Sequence, residues 1–251
     1  MDTLEGVVAK TDCKACPLKD RPHLTPFNHL GGPGIEQYKV GELRLTAGTN
    51  ILMEGLKSPH LYTLIEGVAF RHKGLSDGRR QILNYAFPGD LIGLQGSLLG
   101  EMQHSIDALS DVALCVFDRT CLYQMFEKSP AAAYEVTWRG AKEETIVDEN
   151  LLSVGRRSAQ ERAAYLLALL YQRAKLTGLA PRRRLNFPLT QLHVADTLGL
   201  SIVHTNRTLK VLAQKKLIQW QDRGCTVLDE SGLLDVSGWD GLDAEPPRQM
   251  L

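Results

Sequence analysis

The stretch TQLHVADTLGLSIVHTNRTLKVL, residues 190–212, decides how this chain is read. Ala195 and Gly199 stand four residues apart, which sets a small contact in a first helix and then a left-handed turn that glycine alone adopts at little cost. Leu192, Val194, Leu198 and Leu200 flank that turn with apolar side chains, and Ser201 is placed to accept a backbone N–H and cap a second helix. Two helices joined in this way make a helix-turn-helix. In that motif the second helix enters the DNA major groove, so the spacing points to regulation of transcription.

Two packed core helices joined by glycine would give the same pattern, and charge separates the two readings. The whole chain is neutral, with 29 Lys and Arg against 29 Asp and Glu. Residues 156–225, however, carry 13 Lys or Arg and only three acids. Attraction to phosphate supplies most of the nonspecific affinity for DNA, and the positive charge is concentrated on the segment that holds the motif.

Working outward, residues 43–118 read as strands: Asn50–Glu54, Leu61–Ile65, Val68–His72, Gln81–Ala86, Ile106–Leu109 and Val112–Phe117 are short apolar runs separated by turn residues. Ser76-Asp77-Gly78 marks a hairpin and Pro88-Gly89-Asp90 a sharp corner. A long helix is expected from Pro130 to about Val154, opened by a proline whose missing N–H costs little there. A second helix starts at Ser158, with Ala163, Leu166, Leu167 and Leu170 on one face. After Pro181 the pattern is strand, helix, helix and a hairpin over Leu217–Leu228 with Arg223-Gly224 at its tip, the layout of a winged helix-turn-helix.

The fold class expected is therefore α+β: an N-terminal antiparallel β-roll of jelly-roll character, a long dimerisation helix and a C-terminal winged helix-turn-helix. The corresponding segments are an arm over 1–30, a roll over 31–129, the helix over 130–155, the DNA-binding part over 156–230 and a tail over 231–251. That tail continues an acidic run beginning at Asp229, and fraying is expected of it.

The order roll, long helix and winged helix-turn-helix resembles the superfamily of the cyclic-AMP receptor protein and the fumarate-nitrate reductase regulator (CRP/FNR). The resemblance covers roughly residues 12–230 and is carried by LYTLIEGVAFRHK, FPGDLIG, SAQERAAYLL, LTQLHVADTLGL and SIVHTNRTLKVLAQKKLI. It implies a homodimer on a palindromic operator in double-stranded DNA, with RNA polymerase as a further partner. The N-terminus MDTLEGVVAKTDC has no basic segment followed by an apolar run, and Ala163–Leu170 is too short to span a bilayer, so a cytoplasmic protein without membrane contact is expected.

On the second helix Ser201, Ile202, Val203, Asn206, Arg207 and Lys210 are expected to face outward. Arg207 matches the base-reading arginine of the family, whose planar fork bonds guanine O6 and N7. Asn206 suits adenine or phosphate, and Thr190, Gln191, His204 and Lys210 suit the sugar-phosphate backbone. Val203 stands where many members carry Glu, leaving only an apolar contact such as a thymine methyl. Thr205 and Thr208 occupy positions that are usually apolar, which implies looser packing against the first helix. On the long helix Tyr134, Trp138, Ala141, Thr145, Asp148 and Leu152 follow a four-three spacing and form the expected dimer seam, with a small or polar middle that makes a poor zipper.

The effector is less determined. Cyclic-AMP-binding members hold the phosphate with an Arg-Ser pair, and here the stretch Glu101-Met102-Gln103-His104-Ser105 has no arginine, which argues against a cyclic nucleotide. Five cysteines in a chain without a leader argue against a disulfide framework. Cys13 and Cys16 form a CxxC, and Cys115 falls where the oxygen-sensing branch carries its internal ligand, so the resemblance raises an iron–sulfur cluster. That branch has a further N-terminal cysteine where this chain has Pro22, with His23 beside it. A reversible dithiol at Cys13 and Cys16 is the alternative, and Cys115, Cys121 and Cys225 also read as buried small hydrophobes. His72, His104 and His193 read as surface. Two other functions remain to be weighed: a constitutive dimeric regulator without an effector, and a thiol-disulfide enzyme at Cys13 and Cys16, which the lack of a flanking βαβ unit disfavours.

Overall fold

The protein is described here as a computed structural model covering residues 7–8, 12–20, 24–25, 35–221, 224–242 and 248–249. In chain order the strands of the first half are β1 (Val7–Val8), β2 (Leu24–Thr25), β3 (Lys39–Leu45), β4 (Asn50–Leu52), β5 (His60–Glu66), β6 (Ala69–Gly74), β7 (Arg80–Ala86), β8 (Leu91–Ile92), β9 (Ser105–Ala108) and β10 (Val112–Asp118), with helix α1 (Leu94–Leu99) after β8. Helices α2 (Cys121–Lys128), α3 (Pro130–Arg156) and α4 (Ala159–Leu176) follow, then α5 (Gln191–Leu198), α6 (Ile202–Gln214), the hairpin β11 (Ile218–Gln221) and β12 (Gly224–Val227), α7 (Glu230–Ser237) and β13 (Arg248–Gln249), which pairs in parallel with β2.

Two sheets form the roll, one in the order β1-β3-β10-β5-β8 and one in the order β4-β9-β6-β7. Strand β10 lies at the centre of the first, with Cys115 opposite Glu42 of β3 and Thr63 of β5. Because successive side chains of a strand point to opposite faces, β10 builds two cores at once. Leu114 and Val116 join Leu43, Leu64 and Ile106 in one. Ala113, Cys115 and Phe117 join Leu61, Leu122, Met125, Ala132 and Val136 in the other, where α2 and the start of α3 cover the sheet.

The expected turns are present, each with its own chemistry. Gly78 has φ 86°, and Asp77 accepts from the Arg79 backbone at 3.0 Å. At the corner Gly89 has φ 100°, and the Asp90 carboxylate accepts from the Phe87 N–H at 2.8 Å.

The chain forms two compact units, and their borders differ from the sequence reading. The first holds residues 1–71, 86–144 and 245–251, and the second holds 72–85 and 145–244. The tip of the β6–β7 hairpin thus groups with the helix-turn-helix, and α3 is shared, its Ile146 packing on Tyr165 and Leu169 of α4.

Three further expectations need correction. The segment after Asp229 does not simply fray: α7 is a helix capped by the Asp229 carboxylate, which accepts from the Gly232 N–H at 3.0 Å. Acidic composition hides the apolar residues that hold it: Leu233 is fully buried, and Trp239 meets Tyr165 edge-on at 5.1 Å between ring centres. Residues 181–183 form a 3₁₀ turn instead of a strand, with Arg182 and Arg183 at φ 51° and 64°, and only Arg184 pairs with Thr226. His104 is 5% exposed and so belongs to the interior of the roll. No helix among the described residues is long and apolar enough to cross a membrane.

Candidate nucleic-acid interface

The helix-turn-helix is held by caps that the sequence announces. Thr190 caps α5 by accepting from the His193 N–H at 3.2 Å, and the His193 ring returns the favour to the Thr190 N–H at 3.2 Å. Such reciprocal bonds satisfy donors that a helix start otherwise leaves orphaned. Gly199 ends α5 in the left-handed region at φ 65°, and Ser201 caps α6 by accepting from the His204 N–H at 3.2 Å. Inward, α5 buries Val194, Ala195, Thr197 and Leu198 while α6 buries Thr205, Thr208, Leu209 and Leu212.

Thr205 and Thr208 are 0% and 4% exposed. They are therefore packing residues, and the Thr208 hydroxyl donates to the His204 carbonyl at 3.0 Å.

The outer face of α6 carries the residues expected to read DNA. Ser201, Ile202, Val203, His204, Arg207 and Lys210 are exposed, Val203 to 64%, while Asn206 is half-buried. Thr190 and Gln191 are half-buried at the start of α5. The wing follows as the β11–β12 hairpin, but Arg223 at its tip lies outside the described residues.

Behind α5 lies a set of contacts that the sequence reading did not find. Arg80 Nε donates to the Asp196 carboxylate at 2.7 Å, and Gln81 Nε2 donates to the Thr197 carbonyl at 2.7 Å. The Tyr85 hydroxyl lies 2.8 Å from the Thr197 hydroxyl, and burial pushes its pKa well above the ordinary value. Arg162 of α4 adds a bond to the Leu198 carbonyl at 3.1 Å. One signal was available: Asp196 is the single acid in residues 190–212, where the surrounding charge is positive. An acid in such a field needs a cation, and its partner is 116 residues away.

On α3, Tyr134, Ala141, Thr145, Asp148 and Leu152 are exposed, while Trp138 is half-buried. The exposed stripe runs through Tyr134, Thr137, Ala141, Glu144, Asp148 and Leu151, so it is apolar at its ends and acidic in the middle.

The thiols occupy different surroundings. Cys13 and Cys16 are half-buried, in and just after a single 3₁₀ turn, and Cys115 is 8% exposed on β10. Lys39, the first residue of β3, is buried and bonded to Glu42 at 2.8 Å. Burial alone would lower the Lys39 pKa, but the Glu42 hydrogen bond and the charges of Cys115, Glu42 and Cys13 hold it above the ordinary value. Burial pushes the Cys115 thiol up to about 12, an effect that Lys39 only partly offsets and that Cys13, Cys16 and Glu42 reinforce.

Iron–sulfur clusters are held by four converging ligands, typically thiolates. Among the described residues no group of three or more His, Cys, Asp or Glu side chains converges to hold a metal. The charge of Lys39 interacts with those of Cys115 and Cys13, and Pro22 and His23 lie outside the described residues.

Comparison with known proteins agrees with this geometry. Residues 42–129 match the cyclic nucleotide-binding domain and residues 161–236 the Crp-like helix-turn-helix domain. The chain is 31% identical over 228 residues to the transcriptional activatory protein AadR of Rhodopseudomonas palustris, an alignment covering 90% of this chain and 92% of that one. It is 30% identical to the nitrogen fixation regulation protein FixK of Bradyrhizobium diazoefficiens, over 85% of each chain. The fold is similar to that of FixK2 from Bradyrhizobium japonicum, with a TM-score of 0.70 at 24% identity over 81% of this chain and 98% of that one. With the exposed face of α6, the two domain matches and these full-length relatives in agreement, the chain belongs to the CRP/FNR family of DNA-binding transcription regulators.

Proposed function

We propose that the chain works as a homodimer joined along α3, which sets two copies of α6 in successive major grooves of a palindromic operator about 34 Å apart. The observation that carries this reading is the split of α6: Ile202, Val203, His204, Arg207 and Lys210 are exposed on one side, and Thr205, Leu209 and Leu212 are buried on the other. Arg207 reads a guanine, Val203 offers an apolar contact to its neighbour, and Thr190, Gln191, His204 and Lys210 fix the register on phosphates. The names of the relatives, among them a transcriptional activatory protein and an anaerobic regulatory protein of Haemophilus influenzae, support activation of transcription under oxygen limitation, and the family resemblance adds RNA polymerase as a partner and the cytoplasm as the place.

For the effector, the residues favour a reversible dithiol at the CxxC of Cys13 and Cys16, both half-buried, whereas burial pushes the Cys115 thiol up to about 12. A cyclic nucleotide is disfavoured because Ser105 is already engaged, accepting from the Glu54 N–H at 3.0 Å, and no arginine stands beside it in sequence.

Binding-site selection with the wild type, Arg207→Ala and Val203→Glu tests the DNA reading. Arg207→Ala is expected to lose a guanine preference and Val203→Glu to gain a cytosine, whose amine a carboxylate accepts. Unchanged preference in both variants would exclude base reading by this face. Operator affinity measured in air, and under nitrogen with a thiol reductant, tests the effector. The difference should vanish when Cys13, Cys16 and Cys115 are all replaced by Ser.

A further inference from the structure

We propose that β7 is a positioning strut of the DNA-binding half: through Arg80, Gln81 and Tyr85 it ties the last turn of α5 to the second half of α3, and so fixes the half-site spacing that the protein accepts. The role rests on the dimer joined along α3 proposed above. All the residues concerned belong to the second compact unit.

A helix leaves its last four carbonyls without partners of its own. In α5 the following chain answers one of them, since the Gly199 and Leu200 N–H groups both donate to the Ala195 carbonyl. Two more are answered from elsewhere in the unit: Gln81 Nε2 donates to the Thr197 carbonyl at 2.7 Å, and Arg162 of α4 donates to the Leu198 carbonyl at 3.1 Å. Tyr85, four residues along β7 from Gln81 and therefore on the same face, adds a bond to the same turn. The Thr197 hydroxyl gives its proton to the His193 carbonyl at 2.7 Å, so the Tyr85 hydroxyl, 2.8 Å away, is the donor to Thr197. The Arg80–Asp196 ion pair at 2.7 Å completes the set, its side chains only 27% and 17% exposed.

The same strand is fastened to α3. Asn150 Nδ2 donates to the Leu83 carbonyl at 2.8 Å. A β-carbon placed on Gly199 would stand 3.7 Å from Gln81 Oε1 and 3.8 Å from Val154 Cγ1, so the turn between α5 and α6 meets β7 and α3 together. Apolar contact is non-directional, whereas hydrogen bonds set both distance and angle. The polar bonds from β7 therefore do more than stabilise α5: they set how α5, and α6 after the turn, is angled to α3.

That angle decides which operator a dimer can hold. Adding or removing one base pair between half-sites shifts one of them by about 3.4 Å and turns it by about 35°. A firmly mounted pair of α6 helices rejects the change, and a loosely mounted pair follows it.

The experiment measures, by fluorescence anisotropy, binding of the full-length chain to the operator obtained by selection, to versions with one base pair added or removed at the centre, and to a duplex carrying a single half-site. The wild type is expected to lose affinity roughly tenfold or more when the spacer changes, because both half-sites are no longer engaged together. Asp196→Asn keeps the side-chain shape and removes the charge, and Tyr85→Phe keeps the ring and removes the hydroxyl. Each should cut that spacer penalty roughly two- to tenfold while single half-site affinity stays within about twofold of the wild type. A change that merely weakened the helix-turn-helix would lower half-site affinity and leave the penalty in place. Thermal unfolding midpoints show which variants are folded, and because the two break different bonds, either one decides. An unchanged spacer penalty in a folded variant, or a loss of half-site affinity equal to the loss on the operator, would overturn the strut alone. A wild type indifferent to the spacer would overturn the dimer reading and the strut with it.

Discussion

Helices α6 and α3 both present an exposed stripe, but the two stripes are built in opposite ways. On α6 the inner face is closed by Leu209 and Leu212, each 2% exposed or less, and the outer face exposes His204, Arg207 and Lys210 beside Ile202 and Val203. On α3 the exposed stripe holds Tyr134 at 62% and Leu151 at 71%, with Glu144 and Asp148 between them. A stripe that is exposed and polar waits for a charged ligand, whereas one that is exposed and apolar at its ends waits for another apolar surface. The acids in the middle of α3 weaken such a contact between two copies, because they would bring like charges together.

The comparison can be broken most forcefully at the inner face of α6. Leu209→Ala removes a side chain 2% exposed and should cost about 2–5 kcal/mol of unfolding free energy, read by denaturant titration, whereas Leu151→Ala on the α3 stripe should change the unfolding of the single chain, measured at dilution, by about 0.5 kcal/mol or less. Next in size is Arg207→Ala, which should cost about 1–3 kcal/mol on the selected operator and less on random DNA, by fluorescence anisotropy. Asp148→Leu should sharpen the contrast by tightening self-association roughly tenfold in sedimentation equilibrium, since it replaces a like-charge contact with apolar burial. An unchanged association constant would show that Asp148 lies off the seam. The smallest effect belongs to Lys210→Ala, which should weaken every DNA sequence alike and reduce the slope of log affinity against log salt by about one.

Much of the recognition unit could be read in the chain because its determinants are local. Gly199, Ser201 and Thr190 act within four residues of their own position, and a cap or a left-handed turn is specified by residue type. Six strands of the roll, β4 to β7, β9 and β10, were equally legible from their short apolar runs between turn residues, whereas β3 and the two-residue β1 and β8 were not among the runs read. Long-range polar pairing was not. Arg80 meets Asp196, and Tyr85 meets Thr197, across more than a hundred residues, and nothing in the spacing of either segment selects the other. Composition misled at the C-terminus, where the acids drew the reading away from the apolar residues that fold α7 onto α4. On α3 the four-three spacing placed Trp138 in an exposed row, and its side chain is half-buried, because a long helix that packs on its own chain divides its surface between two duties.

The packing of Trp239 on Tyr165 has a practical bearing on how the DNA-binding half is isolated. The similarity to the Crp-like helix-turn-helix domain stops at residue 236, and a chain ended there would keep most of α7 but lose Trp239 and Leu242. Tyr165 and Leu169, now 2% and 4% exposed, would meet water, and Gln172 would lose the Leu242 N–H that it holds at 2.7 Å. A shortened protein of that kind would be prone to stick to itself through α4, and its aggregation would be mistaken for the self-association proposed for α3. The natural place to end the fragment is past Leu242.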